Sequence, residues 1–217
     1  MKSYISRPLC TNKIEPFIGK DLIKVITDQR RICRSYILLQ ISDIIKEKTP
    51  EANIIFIDKE LLAFADMKNY MDLYQYVLKK AAGHNYNYLF VDEVQEIEEF
   101  QLCLRSLLNE NICDYCTGSN AKMLSGELAT HLAGRYIEFP VHSLSYEEFL
   151  RFNQLQDSPE SLRSYLTFGG MPYIHNLAMD INVIFEYLRN VYSTILLKDV
   201  VAVSYTHLRA HETPEHL

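Results

Sequence analysis

The sequence lacks any apolar run long enough to span a bilayer, and its first residues, MKSYISRPLC, lack the apolar core of a signal peptide. It also lacks an even, clustered set of cysteines, since the five cysteines are scattered along the chain. Such a set suits a reducing compartment better than a disulfide framework. We therefore expect a cytoplasmic chain with no membrane partner.

An excess of basic charge is also missing. Lysine and arginine number 22 against 28 acidic residues, which leaves a net charge of −6. That balance argues against a general nucleic-acid or anionic-membrane surface, because such surfaces carry clustered positive charge. No internal repeat and no low-complexity segment is present either. At 217 residues with 48% hydrophobic side chains, the chain is long and apolar enough for a sizeable core.

Short apolar runs alternate with helical patterns over most of the chain. This alternation predicts an α/β fold with a parallel sheet and helices on both faces. Helices are expected near residues 37–45, 60–83, 100–108 and 121–131, and a short one within residues 1–20. Strands are expected near residues 22–26, 53–57, 87–91, 112–116 and 135–139.

The pattern of apolar residues changes after residue 145, where helical periodicity dominates. Helices are predicted over residues 146–152, 161–168 and 183–197. We therefore predict a core over residues 1–140 and an incomplete helical subdomain over residues 141–202. The last stretch, VSYTHLRAHETPEHL (203–217), has no apolar periodicity and resembles translated adaptor sequence, so we treat it as a non-native tail. A metal-binding histidine tail is the alternative.

The segment from the first strand to the next helix has the layout of a phosphate-binding loop, which follows the pattern G-x-x-x-x-G-K-[ST]. Only Ser35 is of the expected type, because both glycines and the lysine are replaced. An ordinary βα turn is the alternative. The eight loop positions are Asp28, Gln29, Arg30, Arg31, Ile32, Cys33, Arg34 and Ser35.

The run Tyr88–Val91 is an apolar strand that ends in two adjacent carboxylates, Asp92 and Glu93. Ligands bind at the carboxyl edge of parallel sheets. In a nucleotide hydrolase, Asp92 would hold Mg²⁺ and Glu93 would orient or deprotonate the attacking water. The alternative is a strand that runs into an acidic, solvated helix start, since three more glutamates follow by residue 99.

Two further polar positions fit the same chemistry. Asn120, after the fourth strand, has an amide suited to contact a γ-phosphate or the attacking water; a glycine-containing turn with a helix cap is the alternative. Arg135, before the fifth strand, has a guanidinium suited to reach a neighbouring subunit's γ-phosphate, and a surface arginine is the alternative. Cys113-x-x-Cys116 has no second pair and lies in a predicted strand, which argues against a metal or redox site.

Many short segments together resemble one family, the prokaryotic AAA-type (AAA+ superfamily) P-loop ATPases usually known only as ATP-binding proteins. The resemblance covers roughly residues 4–202. Its pieces, in order, are Arg7-Pro8, Pro16-Phe17-Ile18, Gln29-Arg30-Arg31, Ser35-Tyr36, FVDEVQEIEEF (90–100), YCTGSNAKMLSGELAT (115–130), LAGRYIEF (132–139), LSYEEFL (144–150), FGGMPY (168–173) and YSTILLKDV (192–200).

The resemblance implies a P-loop sheet of order 5-1-4-3-2 and ATP with Mg²⁺ as cofactors. It also implies site residues: Asp28–Ser35 as the Walker A loop with Ser35 on the metal, Asp92 and Glu93 as the Walker B pair, Asn120 as sensor 1, and Arg135 as an arginine finger in a homo-oligomer. Members of the family continue into a C-terminal domain, which we expect to be missing here. The matching Gly169-Gly170-Met171-Pro172 turn has no assigned chemical role.

The altered loop departs from the family pattern. Asp28 puts a carboxylate where phosphates bind, Cys33 adds a Cβ where glycine permits close approach, and Arg34 replaces the compact ammonium of lysine. We therefore expect an intact fold with weakened ATP binding and hydrolysis. The alternatives are a catalytically inactive nucleotide-binding or interaction module, and an ATP-dependent regulator acting on nucleic acid through the missing portion.

Overall fold

Short runs of β-branched and aromatic residues form the sheet of this computed structural model, which describes residues 4–28, 34–119, 132 and 134–196. Strands covered on both faces are apolar at most positions, and β3 is buried at every residue. The strands are β1 (Ile23–Asp28), β2 (Asn53–Asp58), β3 (Asn87–Asp92), β4 (Ile112–Ser119) and β5 (Tyr136–Val141).

The sheet has the order β2-β3-β4-β1-β5, and each neighbouring pair is parallel. Counted from the other edge, the order is 5-1-4-3-2. The predicted α/β fold with a P-loop-type parallel sheet is therefore confirmed. Because all the strands run the same way, their carboxyl ends share one edge of the sheet, where Asp28 of β1 and Asp92 of β3 are found.

Helices lie between β1 and β2, between β2 and β3, and between β3 and β4, as parallel pairing requires, and another helix precedes β1. In the first part of the chain they are α1 (Pro8–Ile14), α2 (Arg34–Lys48), α3 (Tyr70–Ala81) and α4 (Phe100–Leu108). After the sheet follow α5 (Tyr146–Phe152), α6 (Pro159–Phe168) and α7 (Ile181–Ile195). The predicted helix over residues 121–131 lies outside the described residues.

The core is split by the sheet into two apolar clusters. Side chains alternate along a strand, so Ile23 and Val25 of β1 pack with α3 and α4, while Ile26 packs with α2 on the opposite face. The N-terminal segment packs on this second face. Its Arg7 backbone N–H donates to Gln40 Oε1 at 2.8 Å, and Arg7 Nη2 donates to the His142 carbonyl at 3.0 Å.

Two sequence-based boundaries are wrong. The helix expected over residues 60–83 begins only at Tyr70, because Asn69 and Asp72 form a capping box there and a 3₁₀ turn, Leu62–Phe64, precedes it. The fourth strand, expected to end at residue 116, continues to Ser119, because its end pairs with the carboxyl end of β1. Thr117, Gly118 and Ser119 therefore belong to the sheet and form no turn.

The chain divides into two compact units, residues 1–142 and 143–217. In the second unit a capping box between Ser145 and Glu148 starts α5, and the Tyr165 hydroxyl donates to the Leu144 carbonyl at 2.9 Å. The predicted tail, residues 203–217, lies outside the described residues. Within the described ranges, no helix combines the length and apolar character needed to cross a membrane.

Candidate functional site

The carboxyl ends of β3, β4 and β1 lie side by side and bring polar residues to one edge of the sheet. The register pairs Val91 with Cys116, which places Asp92 level with Thr117 on the next strand. On the far side of β4, Asp28 pairs with Ser119. The Walker B candidates and the start of the loop are thus separated by a single strand, about 10 Å from β3 to β1.

Thr117 connects the residues of this edge through hydrogen bonds. Its hydroxyl donates to Asp92 Oδ1 and accepts from the backbone N–H of Glu93 at 3.1 Å. Asp92 is 3% exposed and Thr117 is fully buried, so this contact is shielded from bulk water. In the sequence, Thr117 stands three residues before the candidate sensor Asn120, and the sequence alone predicts no role for it. A hydroxyl residue near the end of a strand was the available signal, and it became specific only with the register.

Glu93 leaves the strand through an unusual backbone conformation. Its φ of 55° and ψ of 49° are left-handed, which costs a non-glycine residue about 1–2 kcal/mol. The side chain is half-buried, and its Oε2 accepts a hydrogen bond from Gln95 Nε2. Strain of this kind persists where neighbouring contacts enforce it, and here the Thr117 hydroxyl holds the Glu93 N–H.

Ser35 is the second residue of α2, and its side chain is half-buried. The loop that joins β1 to α2 starts from the carboxyl edge, so the N-terminus of this 15-residue helix lies on that side of the sheet. Free N–H groups and the helix dipole at such an end favour anions. Residues 29–33 (Gln29, Arg30, Arg31, Ile32 and Cys33) lie outside the described residues.

The structure does not bring Arg135 together with these residues. Asn120 lies outside the described residues. Arg135 is exposed and lies at the amino end of β5, where its carbonyl accepts from the Ile23 N–H at 2.9 Å. That is the opposite edge of the sheet from Asp92. Within one chain Arg135 therefore does not face the Asp92 edge, and any role on phosphates would require another subunit.

Behind the site, β4 carries two adjacent buried ionisable residues, Asp114 and Tyr115. Burial raises the pKa of the Asp114 carboxyl well above its ordinary value, and nearby Lys24 only partly opposes this. Among the residues that the structure describes, both Asp114 carboxylate oxygens lack a hydrogen-bond partner, which disfavours the charged form of the carboxyl. Burial likewise raises the pKa of the Tyr115 hydroxyl, whose ring stacks on Phe90 at 4.7 Å between centroids.

Cys113 and Cys116 point to opposite faces of β4. Cys113 packs with the cluster that contains Tyr115, and Cys116 packs with the other cluster. Residues three apart in a strand cannot share one ligand, because side chains alternate. In the part of the chain that the structure describes, no group of three or more histidine, cysteine or acidic side chains is placed to hold a metal ion.

Comparison with known proteins adds a family match. The profile of the family described as "AAA domain" matches residues 20–150. An uncharacterized protein of Haemophilus influenzae is 31% identical over 218 residues, which covers 95% of this chain and 54% of that protein. An uncharacterized protein of Methanocaldococcus jannaschii is 32% identical over 194 residues, with 82% and 42% covered. The chain therefore spans about half the length of these curated relatives.

A solved structure supports the same fold. Domain III of the replication initiation protein DnaA from Thermotoga maritima superposes with a TM-score of 0.51 at 10% identity. The similarity covers 80% of this chain and 82% of that domain. At this low identity, the likeness concerns the arrangement of strands and helices only.

Proposed function

The chain belongs to the AAA domain family, and from this premise we propose that it binds ATP with Mg²⁺ at the carboxyl edge of its sheet. The observation that carries the proposal is the buried contact of Asp92 with Thr117, one strand away from the loop that leads to Ser35. The proposed setting is the cytoplasm of a prokaryotic cell.

Oxygen donors at this edge suit Mg²⁺. The ion prefers carboxylate, hydroxyl, phosphate and water oxygens, and it keeps several waters, so it needs only one or two protein ligands. In the proposal, Asp92 and Ser35 supply these ligands, while the bound triphosphate completes the coordination. Thr117 fixes the orientation of the Asp92 carboxylate by its hydrogen bond.

Glu93 is the proposed general base. It follows Asp92 directly, and its carboxylate is held by Gln95, so its oxygen has a defined place next to the metal ligand. A carboxylate there orients a water and accepts its proton during attack on the γ-phosphate. In the same scheme Asn120 contacts the γ-phosphate, and Arg135 acts on the site of a neighbouring copy in a homo-oligomer.

The loop Asp28–Ser35 is the proposed phosphate cradle, and its substitutions weaken it. A carboxylate at Asp28 repels phosphate oxygens, and a Cβ at Cys33 restricts the close approach of backbone N–H groups. This loop is the specific reason to keep a second candidate function, a nucleotide-binding or interaction module without hydrolytic activity. The two functions differ in turnover and not in fold.

Phosphate release from the purified protein separates the two. If Glu93 is the base, Glu93→Gln lowers the rate by at least about 100-fold, as expected for losing general-base catalysis. Glu98→Gln is the matched control, because Glu98 is exposed and close in sequence, and it should leave the rate unchanged. Equal background rates in the natural protein and Glu93→Gln would remove the hydrolase in favour of the inactive module.

A further inference from the structure

A fully buried lysine faces a cysteine at the amino edge of the sheet, away from the site described above. Lys24 of β1 is 0% exposed, and its Nζ donates to Cys113 Sγ at 3.2 Å. The same Nζ donates to the Lys20 carbonyl at 2.5 Å and lies 5.1 Å from the centre of the Tyr115 ring. Lys24 pairs with Tyr115 across the strands, which holds the side chain over β4.

The charge of Lys24 has no carboxylate partner among the residues that the structure describes. Its hydrogen bonds go to a carbonyl and a sulfur. Burial raises the pKa of Asp114, the nearest acidic neighbour along β4, well above its ordinary value, which disfavours the charged form of its carboxyl. A buried ammonium without a counter-ion is costly, so a negative group on Cys113 Sγ would be stabilised by direct contact.

Cys113 differs in access from Cys103 of α4 and from Cys116 of β4. Cys103 and Cys116 are buried, and burial raises the pKa of both thiols, which makes them poor nucleophiles. Cys113 is only partly buried. Reactive cysteines sit in electropositive, partly exposed places, whereas structural ones are buried in apolar surroundings. Contact with a cation and partial access coincide at Cys113.

We propose that Cys113 is a covalent modification site for small electrophiles and peroxides, with Lys24 as its charge partner and as the trap for the oxidised sulfur. Hydrogen peroxide converts the thiolate to a sulfenate: the S–O bond forms, the O–O bond breaks, and water leaves. The Lys24 ammonium then gives one proton to the sulfenate oxygen, and the resulting neutral amine attacks the sulfur of the sulfenic acid. The N–S bond forms as the S–O bond breaks, and the departing hydroxide takes a second proton from the nitrogen and leaves as water. In sum, one thiolate, one ammonium and one peroxide give one sulfenamide and two waters.

The proposed modification is separate from the nucleotide site. Cys113 and Thr117 are four residues apart on β4, which is roughly 13 Å along a strand. The pair joins β1 to β4 at their amino ends, whereas Asp92 and Thr117 lie at the carboxyl edge. Failure of ATP binding would therefore leave this proposal standing, and the reverse also holds.

The first test compares two thiols within the folded natural protein. Under limiting iodoacetamide, followed by peptide mass spectrometry, Cys113 should be alkylated at least about tenfold faster than Cys10, which is also partly buried. Cys33 lies outside the described residues and is left out of the comparison. Equal rates at Cys113 and Cys10 would overturn the proposal without any variant.

Substitutions of Lys24 separate its two roles. Lys24→Met keeps an unbranched side chain without charge and should lower the Cys113 rate to that of Cys10. Lys24→Arg keeps the charge and should keep the fast alkylation, but it removes the amine. After peroxide, a linked peptide pair two hydrogens lighter than its parts should form in the natural protein and not in Lys24→Arg. A Lys24→Met rate equal to the natural one, or no linked pair in the natural protein, would contradict the proposal.

Discussion

Thr117 joins the metal-binding candidate to the catalytic candidate through one hydroxyl. This hydroxyl donates to Asp92 in a buried contact and accepts from the Glu93 N–H in a partly buried one. We predict that Thr117→Val lowers the free energy of unfolding by about 1–3 kcal/mol, because a carboxylate oxygen and an N–H lose their partner. Urea denaturation followed by circular dichroism measures this.

Thr117→Ser is the control for that substitution. It keeps the hydroxyl and removes only a methyl group, so it should recover most of the stability lost in Thr117→Val. Equal losses in the serine and valine variants would mean that the contact at Thr117 is one of packing and not of hydrogen bonding.

Asp114 gives the protein a specific pH dependence. Its folded-state pKa is raised by burial, so between the unfolded pKa of about 3.9 and that raised value the folded protein binds one more proton than the unfolded chain. The free energy of unfolding should therefore fall as pH rises through this range, by about 1.4 kcal/mol per pH unit from this residue.

Asp114→Asn tests this contribution, because the amide has nearly the same shape and does not titrate. Denaturation from pH 5 to pH 8 should show a steeper loss of stability in the natural protein than in the variant. Parallel curves for the two proteins would show that Asp114 has no raised pKa.

Single residues also show where sequence reasoning reached its limit. Asp92 and Glu93 could be placed at a strand end, because the apolar run before them predicts the strand directly. The role of Thr117 could not be predicted in the same way. It depends on β3 and β4 being neighbours in a defined register, which local composition does not encode.

At the scale of whole elements, the sequence alone assigns no chemical role to the Gly169-Gly170-Met171-Pro172 turn. In the structure this turn has a structural role. Gly169 has φ 76° and ψ −173°, a region essentially open to glycine only. Gly170 approaches Leu144 so closely that a Cβ would lie 2.4 Å from the Leu144 carbonyl oxygen. The Leu144 N–H donates to the Gly170 carbonyl at 2.7 Å, which ties this turn to the start of α5.

We predict that Gly170→Ala destabilises the second unit by about 1–3 kcal/mol, because the backbone must move to accept the Cβ. Limited proteolysis over residues 143–196, together with thermal denaturation, measures the effect. Leu166→Ala is the control: Leu166 is 74% exposed and should change stability by less than about 0.5 kcal/mol. An unchanged Gly170→Ala protein would contradict the close approach at Leu144.

Most helices and strands could be predicted within a few residues, because apolar periodicity reports burial directly. The error at residues 60–83 has a clear cause. Apolar and helix-favouring residues fill the whole stretch, but Asn69 with Asp72 starts the helix at Tyr70. Polar capping competes with periodicity at such places, and a pattern of apolar residues does not register it.

For the molecule as a whole, strand order was beyond what pattern alone predicts. Alternating strands and helices indicate a parallel sheet, yet they do not say which strands are neighbours. The order 5-1-4-3-2 came from resemblance to a family, and the structure confirms it. The loop of residues 28–35 is the reverse case. Its sequence can be compared with the phosphate-binding pattern, but positions 29–33 lie outside the described part of the chain.

The central claim is that the carboxyl edge near Ser35, Asp92 and Thr117 holds ATP with Mg²⁺, and that the altered loop weakens it. Titration with a fluorescent ATP analogue tests this most directly, in the natural protein and in Asp28→Gly/Cys33→Gly/Arg34→Lys, which restores the loop pattern. The restored protein should bind at least about tenfold tighter, and Asp92→Asn placed in it should remove the Mg²⁺ dependence. Micromolar binding by the natural protein would contradict the weakening, and no binding by the restored protein would contradict the site.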